Sequence, residues 1–252
     1  MEEKLKAVVL AAGRGTRLQS EQDDAPKVMR RANGKPLIWY VLDALSFIEK
    51  KDIIIVVGYK KEEVTDNFKG YEYAEQREQL GTGHAVMAAQ AELSGYEGAV
   101  LVCYGDMPAI KRETYEAFIG DHFENGNDCT ILTGESTIPL PYGRIIRCSD
   151  GCFSHVVEQR DCTEDELRIT ELNSGVYVFD TPKLIESLGK LKNDNVQGEY
   201  YLTDVPAIMR SNGARVGICK RDLGDEIIGV NTMEQLMQVE EILHRRSSTI
   251  AV

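Results

Sequence analysis

Basic charge is scarce in this sequence. Its 29 lysines and arginines face 41 aspartates and glutamates, a formal net charge of −12. A nucleic-acid groove or an anionic membrane surface asks for the opposite sign, so neither is expected as a partner. No CxxC pair occurs among Cys103, Cys129, Cys148, Cys152, Cys162 and Cys219, and their spacing outlines no disulfide framework. They are expected as reduced, mostly buried thiols of a cytoplasmic protein. Cys148 and Cys152, on either side of Ser149-Asp150-Gly151, could face each other across a hairpin turn. No apolar run is long enough to cross a membrane, and charge from Glu2 onward means that no signal peptide is expected. His84 lacks a second ligand at metal-binding spacing and reads as structural. Trp39, the single tryptophan, is expected in the core rather than as a stacking platform.

Two familiar phosphate loops are also missing. No GxxxxGK followed by Ser or Thr occurs. The dinucleotide fingerprint would need a third glycine where Leu18 stands, and an acidic residue where the second strand runs out at Val57-Gly58-Tyr59. A nicotinamide dehydrogenase is therefore the weaker reading.

What the chain does have is a strong opening. With 252 residues, 42% of them hydrophobic, it can fill the core of one large α/β domain or two small ones. The uncharged apolar run Ala7 to Ala11 reads as a strand buried on both faces of a parallel sheet. It breaks into Gly13-Arg14-Gly15-Thr16-Arg17, followed by Pro26-Lys27. Glycines there let the backbone turn sharply, and successive N–H groups can then point at phosphate oxygens. Arg14, Arg17 and Lys27 add positive charge around the turn, which an acidic chain needs if it is to hold a polyphosphate. An ordinary strand-to-helix turn with exposed arginines is the plain alternative.

Strand and helix then alternate. Helices are expected over Pro36 to Ile48, Lys60 to Phe68 and Lys111 to Phe123. Strands are expected over Asp52 to Val57, Tyr71 to Glu75, Ala99 to Cys103 and Cys129 to Leu132. That pattern predicts a mostly parallel, Rossmann-like twisted sheet flanked by helices, with right-handed crossovers. Gln19 to Ala25 reads as a mobile loop beside the phosphate turn. Gly81-Thr82-Gly83 precedes an alanine-rich helix and offers an open helix N-terminus. Gln76 can donate and accept, which suits a uracil edge. Asp106 follows an apolar strand at its carboxyl end, where open α/β sheets bind ligands, and its hard oxygens suit magnesium. It could instead cap the helix near Lys111.

After residue 135 the texture changes. Tyr142 to Glu158 reads as a β-hairpin turning at Asp150-Gly151, and Glu171 to Asp180 as a further strand. Gln197 to Asp204 opens a helix through about Ser211, Arg215 to Cys219 is a strand, and Met233 to Arg245 a last helix. Asn231 could cap that helix or offer an oxygen to a metal. The expected division is a nucleotide-binding half over 1–135, a smaller mixed or antiparallel lobe over 136–231, which the resemblance given next implies is sugar-binding, and a C-terminal helix and tail over 232–252, within one domain.

Leu10 to Arg17 with Pro26-Lys27 resembles the opening signature of the sugar-1-phosphate nucleotidyltransferases. Gln79 to Ala85, Tyr104-Gly105-Asp106, Tyr142 to Ile145, Val157-Glu158, Glu171 to Gly175, Gln197 to Asp204 and Gly229-Val230-Asn231 narrow the likeness. Together they resemble the N-acetylglucosamine-1-phosphate uridylyltransferase domain of the bifunctional bacterial GlmU family, across nearly the whole chain. The resemblance implies that Leu10, Ala11, Ala12, Gly13, Gln76, Gly81 and Thr82 hold uridine. It puts Arg17 and Lys27 on the phosphates as catalytic groups. Tyr104, Gly105, Gly143, Glu158 and Asn173 would hold the amino sugar, and Asp106 and Asn231 magnesium. The implied reaction takes UTP and N-acetylglucosamine 1-phosphate to UDP-N-acetylglucosamine and pyrophosphate. Family members continue into a left-handed β-helix acetyltransferase; no hexapeptide repeats are found here, so that activity is not expected of this sequence. The acidic Gln22-Asp23-Asp24-Ala25 before Pro26 departs from the family pattern. The alternatives are the same chemistry on glucose or galactosamine 1-phosphate or with another nucleotide, and an inactive nucleotide-sugar-binding module.

Overall fold

The structure is a computed structural model that describes residues 4–18, 24–136 and 140–250. The chain begins with strand β1 (Leu5–Leu10), a small ribbon of β2 (Arg31–Ala32) and β3 (Lys35–Pro36), and helix α1 (Leu37–Ala44). There follow β4 (Ile53–Val57), α2 (Lys61–Thr65), β5 (Glu72–Glu75), α3 (Thr82–Ala88) and α4 (Gln90–Leu93). Next come β6 (Ala99–Tyr104), α5 (Arg112–Glu124), β7 (Cys129–Glu135), β8 (Arg144–Arg147), β9 (Phe153–Val157) and β10 (Glu171–Asp180). The remaining elements are α6 (Thr181–Leu188), α7 (Val205–Ser211), β11 (Val216–Lys220) and α8 (Met233–Ile250).

The main sheet runs β11-β7-β10-β6-β1-β4-β5, with the β8–β9 hairpin attached along β10. β1, β4, β5 and β6 are mutually parallel where they pair, and β11 is parallel to β7. β10 runs antiparallel between β6 and β7. The uncharged strands explain this arrangement. Every residue of Ile53–Val57 is buried, as are Ala7 to Leu10 and Ala99 to Cys103, because helices cover both faces. One core holds Ala7, Val9, Leu37, Val41, Ile55 and Leu101 on one side; Val8, Val56, Val86, Val100 and Tyr177 form a second on the other.

The mostly parallel sheet, the hairpin and the long strand over Glu171–Asp180 stand as the sequence predicts. Several details differ, among them the last helix, which runs on to Ile250, and the second, which is only Lys61–Thr65. The first helix is Leu37–Ala44 and stops short of Ile48. Trp39 is half-buried rather than core, with the Lys35 ammonium 3.3 Å from its ring centroid, a cation–π contact on one face. The segment before α7 is a short 3-10 turn, Leu202–Asp204, rather than part of the helix. Most of the loop expected over Gln19 to Ala25 lies outside the described residues.

The start of β10 is pinned by Glu171, which the sequence reading left unassigned. Its buried carboxylate accepts from Arg147 Nε at 2.8 Å, Arg147 Nη2 at 2.7 Å and Thr133 Oγ1 at 2.9 Å. Burial alone would raise its pKa, but the Arg147 and Thr133 bonds carry the net shift below the ordinary carboxylate value. A carboxyl depressed by folding contributes stability above its unfolded pKa and loses it as pH falls through the folded one. Glu171→Ala is therefore expected to lower unfolding free energy by about 2 kcal/mol at pH 7, with the loss shrinking as acid protonates the wild-type group. Urea melts at neutral and acid pH check this; an equal loss at both would show that the charge is not responsible.

Candidate active site

The carboxyl ends of β1, β4, β5 and β6 open on one side of the sheet, and a cavity of about 520 Å³ lies there. Its floor is the turn after β1. Gly15 adopts φ +70°, and a Cβ there would sit 2.8 Å from Lys27 Cβ. Glycine is thus required for Lys27 to cross close behind the turn, where its N–H bonds Gly13 O at 3.3 Å.

Lys27 reaches in and binds two side chains far away in sequence. Its Nζ donates to Asp106 Oδ2 and, at 2.8 Å, to Asn231 Oδ1. Lys27 and Asp106 side chains are each only 16% exposed. Neither acceptor spends its side chain on a helix cap. Glu226 takes the α5 end, accepting from Lys111 N at 3.0 Å and Thr114 Oγ1 at 2.6 Å. At α8, Thr232 Oγ1 accepts from Gln235 N, while Gln235 Oε1 accepts from Asn231 N at 2.7 Å and Thr232 N at 3.1 Å. That is a capping box, and it fixes the Asn231 backbone while leaving its amide pointing at the cavity. Val230 N bonds Asp106 O at 2.9 Å, which ties the two segments together. Two hard oxygens converging on one cation fit a divalent ion that draws its remaining ligands from water and phosphate.

The other strand ends supply a second wall. Gln76 follows β5, is 5% exposed, and its Nε2 donates to Gly81 O at 3.0 Å and lies 3.2 Å from His84 Nδ1. Gln79 Nε2 donates to Ala12 O at 2.7 Å. The N-terminus of α3 is less open than its sequence suggests: Gly83 N bonds Tyr200 O at 2.8 Å, and Thr82 Oγ1 accepts from Leu202 N at 3.0 Å. Gly81, at φ +111°, has Tyr200 O 2.6 Å from where a Cβ would be.

At the far end, β10 makes a bulge. Its register against β7 shifts between Asn173 and Tyr177, so Asn173, Ser174 and Gly175 turn toward the cavity. Asn173 N bonds Gly143 O at 2.9 Å, and Gly175 N bonds Asn173 Oδ1 at 3.2 Å. Glu158 lies at the end of β9 and accepts from Thr203 Oγ1 at 3.0 Å. Burial first, then Asp204, Asp161 and Glu199 nearby, push its pKa above the ordinary value. Burial likewise raises Tyr104 far above a free phenol, and pushes Tyr142 up to about 12 while its hydroxyl accepts from Gly229 N at 2.7 Å. The cavity thus has the Lys27–Asp106 ion pair at one end and the Glu158 carboxyl at the other. A ligand with phosphates at one end, able to draw Lys27 to itself, and hydroxyls at the other matches that arrangement.

Of the residues singled out in the sequence, Leu10, Ala12, Gly13, Lys27, Gln76, Gly81, Thr82, Tyr104, Asp106, Gly143, Glu158, Asn173 and Asn231 line this cavity. Ala11 and Gly105 do not. The Ala11 side chain belongs to the core, and Gly105 sits behind Val28, which a Cβ would meet at 3.0 Å. Arg17 lies in a 3-10 turn, Thr16–Leu18, with its side chain outside the described residues. Arg14 is exposed and turned outward, its guanidinium 4.8 Å from the Tyr59 ring centroid and 4.0 Å from Asp24. Asp24 also accepts from Tyr59 Oη at 2.7 Å and pairs with Lys60 Nζ at 3.1 Å, so this carboxylate is engaged locally; Gln22 and Asp23 lie outside the described residues. Gln79, Tyr142, Gly175, Gln197, Glu199 and Tyr201, which the sequence offers only inside matching motifs and without a role of their own, also line the cavity; all but Tyr142 and Gly175 fall where only tertiary pairing shows which face is inward.

Gly175 has φ +80°, and a Cβ would lie 2.5 Å from Tyr104 Cε2. Gly175→Ala is expected to cost about 2 kcal/mol, from the left-handed backbone and the displaced ring. A urea melt tests it, and an unchanged midpoint would mean that the bulge relaxes freely.

A family model for the MobA-like NTP transferase domain matches residues 7–177, and the chain belongs to that family of nucleotidyltransferases. It is 43% identical over 242 residues to Bifunctional protein GlmU of Clostridium beijerinckii, covering 95% of this chain and 52% of that protein. Against Bifunctional protein GlmU of Streptococcus thermophilus it is 43% identical over 241 residues, with the same shares. The chain spans about half the length of the curated relatives it matches. Among solved structures, a Bacillus anthracis crystal structure bound to sucrose, named provisionally as a glucose-1-phosphate thymidylyltransferase, superposes with a TM-score of 0.73 over 95% of each chain at 16% identity. That likeness speaks to the fold. Nucleotidyltransferases of the GlmU type generally use a divalent metal and act on nucleotide and sugar-phosphate substrates. No helix among the described residues is long and apolar enough to cross a membrane.

Proposed function

We propose that this chain transfers a uridylyl group from UTP to N-acetylglucosamine 1-phosphate in the cytoplasm, giving UDP-N-acetylglucosamine and pyrophosphate with magnesium as the metal. The observation that carries this reading is the meeting of Lys27, Asp106 and Asn231 beside the Gly13 turn. It stands in one cavity with the Gln76–Thr82 wall and the Gly143, Glu158 and Asn173 end. Relatives 43% identical across nearly the whole chain support the choice of substrates.

In this reading Gln76 presents hydrogen-bonding groups to the uracil edge, backed by Gly81 and Thr82. Leu10, Ala12 and Gly13 line the nucleotide's end of the cavity, with Ala11 holding the turn to β4 through its N–H bond to Val56 O, while Arg17 and Lys27 hold the phosphates. Glu158 and Asn173 accept from and donate to the sugar hydroxyls and acetamide, with Tyr104 and Gly143 shaping that end. The sugar-phosphate oxygen attacks the α-phosphorus in line, and the bond to the β-phosphate bridging oxygen breaks, its electron pair leaving with pyrophosphate. The nucleophile is already anionic, so no general base is required, and positioning with charge neutralisation supplies the rate. Asp106 and Asn231 would hold the magnesium ion, which when bound neutralises phosphate charge as a Lewis acid.

Pyrophosphate release measured across UTP and dTTP, each with N-acetylglucosamine, glucose and N-acetylgalactosamine 1-phosphates, tests the assignment. Fastest release is expected for UTP with the N-acetylglucosamine ester. A faster pair elsewhere replaces the substrate, and silence across the panel replaces the enzyme with a binding module.

A further inference from the structure

The tip of the β8–β9 hairpin holds a side-chain cluster that the nucleotidyl-transfer chemistry does not use. Cys148 N donates to Cys152 O at 2.9 Å, and Gly151 N to Cys148 O at 2.9 Å. The two cysteines therefore face each other on the last rung before Ser149-Asp150-Gly151. Gly151, at φ +84°, is the extra residue of a bulge there, and Cys152 N turns to Asp150 Oδ1 at 3.0 Å; neighbouring strands lie about 4.7–4.9 Å apart, within the span of a disulfide. Their sulfurs and an Asp150 oxygen lie within 4.8 Å of one another. Cys152 is exposed and Cys148 partly so, whereas Cys103, Cys129 and Cys219 are buried.

A second element completes the cluster. Arg210, near the end of α7, places Nη2 3.3 Å from Cys148 Sγ and 3.5 Å from Cys152 Sγ. A guanidinium across both sulfurs opposes a metal cation there, and its charge works against the rise that Asp150 and Cys148 impose on the Cys152 thiol. We infer that Cys148 and Cys152 form a reversible dithiol–disulfide site, closed by a low-molecular-weight disulfide oxidant. One cysteine thiolate attacks the oxidant, releasing its first thiol, and the second thiolate then attacks that mixed disulfide, releasing the other. Two protein thiols lose two electrons and two protons; the oxidant's disulfide gains them as two thiols. Asp150 and Cys148 push the Cys152 thiol up to about 11, while Arg147 and Arg210 face it with positive charge. Closure is accordingly expected to quicken as pH rises. The bridge would staple the strand pair whose base carries Gly143 and Glu158.

The full chain, incubated in mixtures of oxidised and reduced glutathione, is alkylated, digested with trypsin without reduction and weighed. Cleavage after Arg147 and Arg160 leaves both cysteines in one peptide. That peptide is expected to lose two hydrogens and take up no alkyl group, and to recover both on reduction. Arg210→Met, an exposed change, is expected to slow closure roughly 3- to 10-fold at neutral pH. Single glutathione adducts without the bridged peptide would overturn the site, and closure at the wild-type rate in the variant would overturn the part given to Arg210.

Discussion

Asp106→Ala is expected to cut pyrophosphate release by about 100-fold or more, if positioning the metal supplies several kcal/mol of the barrier reduction. The residue's backbone should stay in place, because Asp106 O is held by Val230 N at 2.9 Å independently of the side chain. The loss should therefore fall on kcat, with folding checked by an unchanged urea midpoint. Mn2+ binding gives a readout apart from turnover: the variant should bind the ion more weakly in the presence of UTP. Near-normal turnover would remove Asp106 from the chemistry altogether.

Lys27→Met should be as damaging to turnover, by about 100-fold or more, since the positive group proposed to meet the phosphates is lost. Its effect on metal binding should have the opposite sign. In the free protein the Lys27 ammonium holds the same two oxygens proposed to bind the ion. An ammonium and a divalent cation cannot share that position, so lysine has to be drawn off, and incoming phosphates are the partner that can do it. Without nucleotide, Lys27→Met is expected to bind Mn2+ roughly tenfold more tightly, the equivalent of about 1.4 kcal/mol for one partly buried ion pair removed. Calorimetry without UTP reads this directly. Equal or weaker binding would mean that the lysine does not occupy the ion's place.

Much of this was legible in the residues because it rests on backbone rules. Unbroken apolar runs at Ala7 to Ala11 and Ile53–Val57, short and rich in β-branched residues, read as strands covered on both faces, and ligands then belong beyond their carboxyl ends. Asp106 and Gln76 fall there by position alone. Asn231 was ambiguous between cap and ligand; the neighbouring Thr232–Gln235 box takes the capping role and leaves its side chain to Lys27, and that pattern could have been read in advance. Other features depend on contacts between distant segments. Nothing in the local sequence says that Tyr200 would seal the α3 N-terminus, that Asp24 would turn Arg14 outward, or that Glu171 would find Arg147. Trp39 misled for a related reason: aromatic bulk favours burial, but a lysine four residues earlier offered its ring a charge to cover.

The antiparallel strand β10 has a mechanical consequence. Laddered to β6 on one edge and β7 on the other, it stitches both ends of the cavity into a single rigid board. Shearing the Glu158–Asn173 end away from the Lys27–Gln76 end would tear two rows of backbone bonds at once. Traffic in and out must then be managed by pieces mounted on the rim, and the speed of turnover should follow how readily those pieces yield.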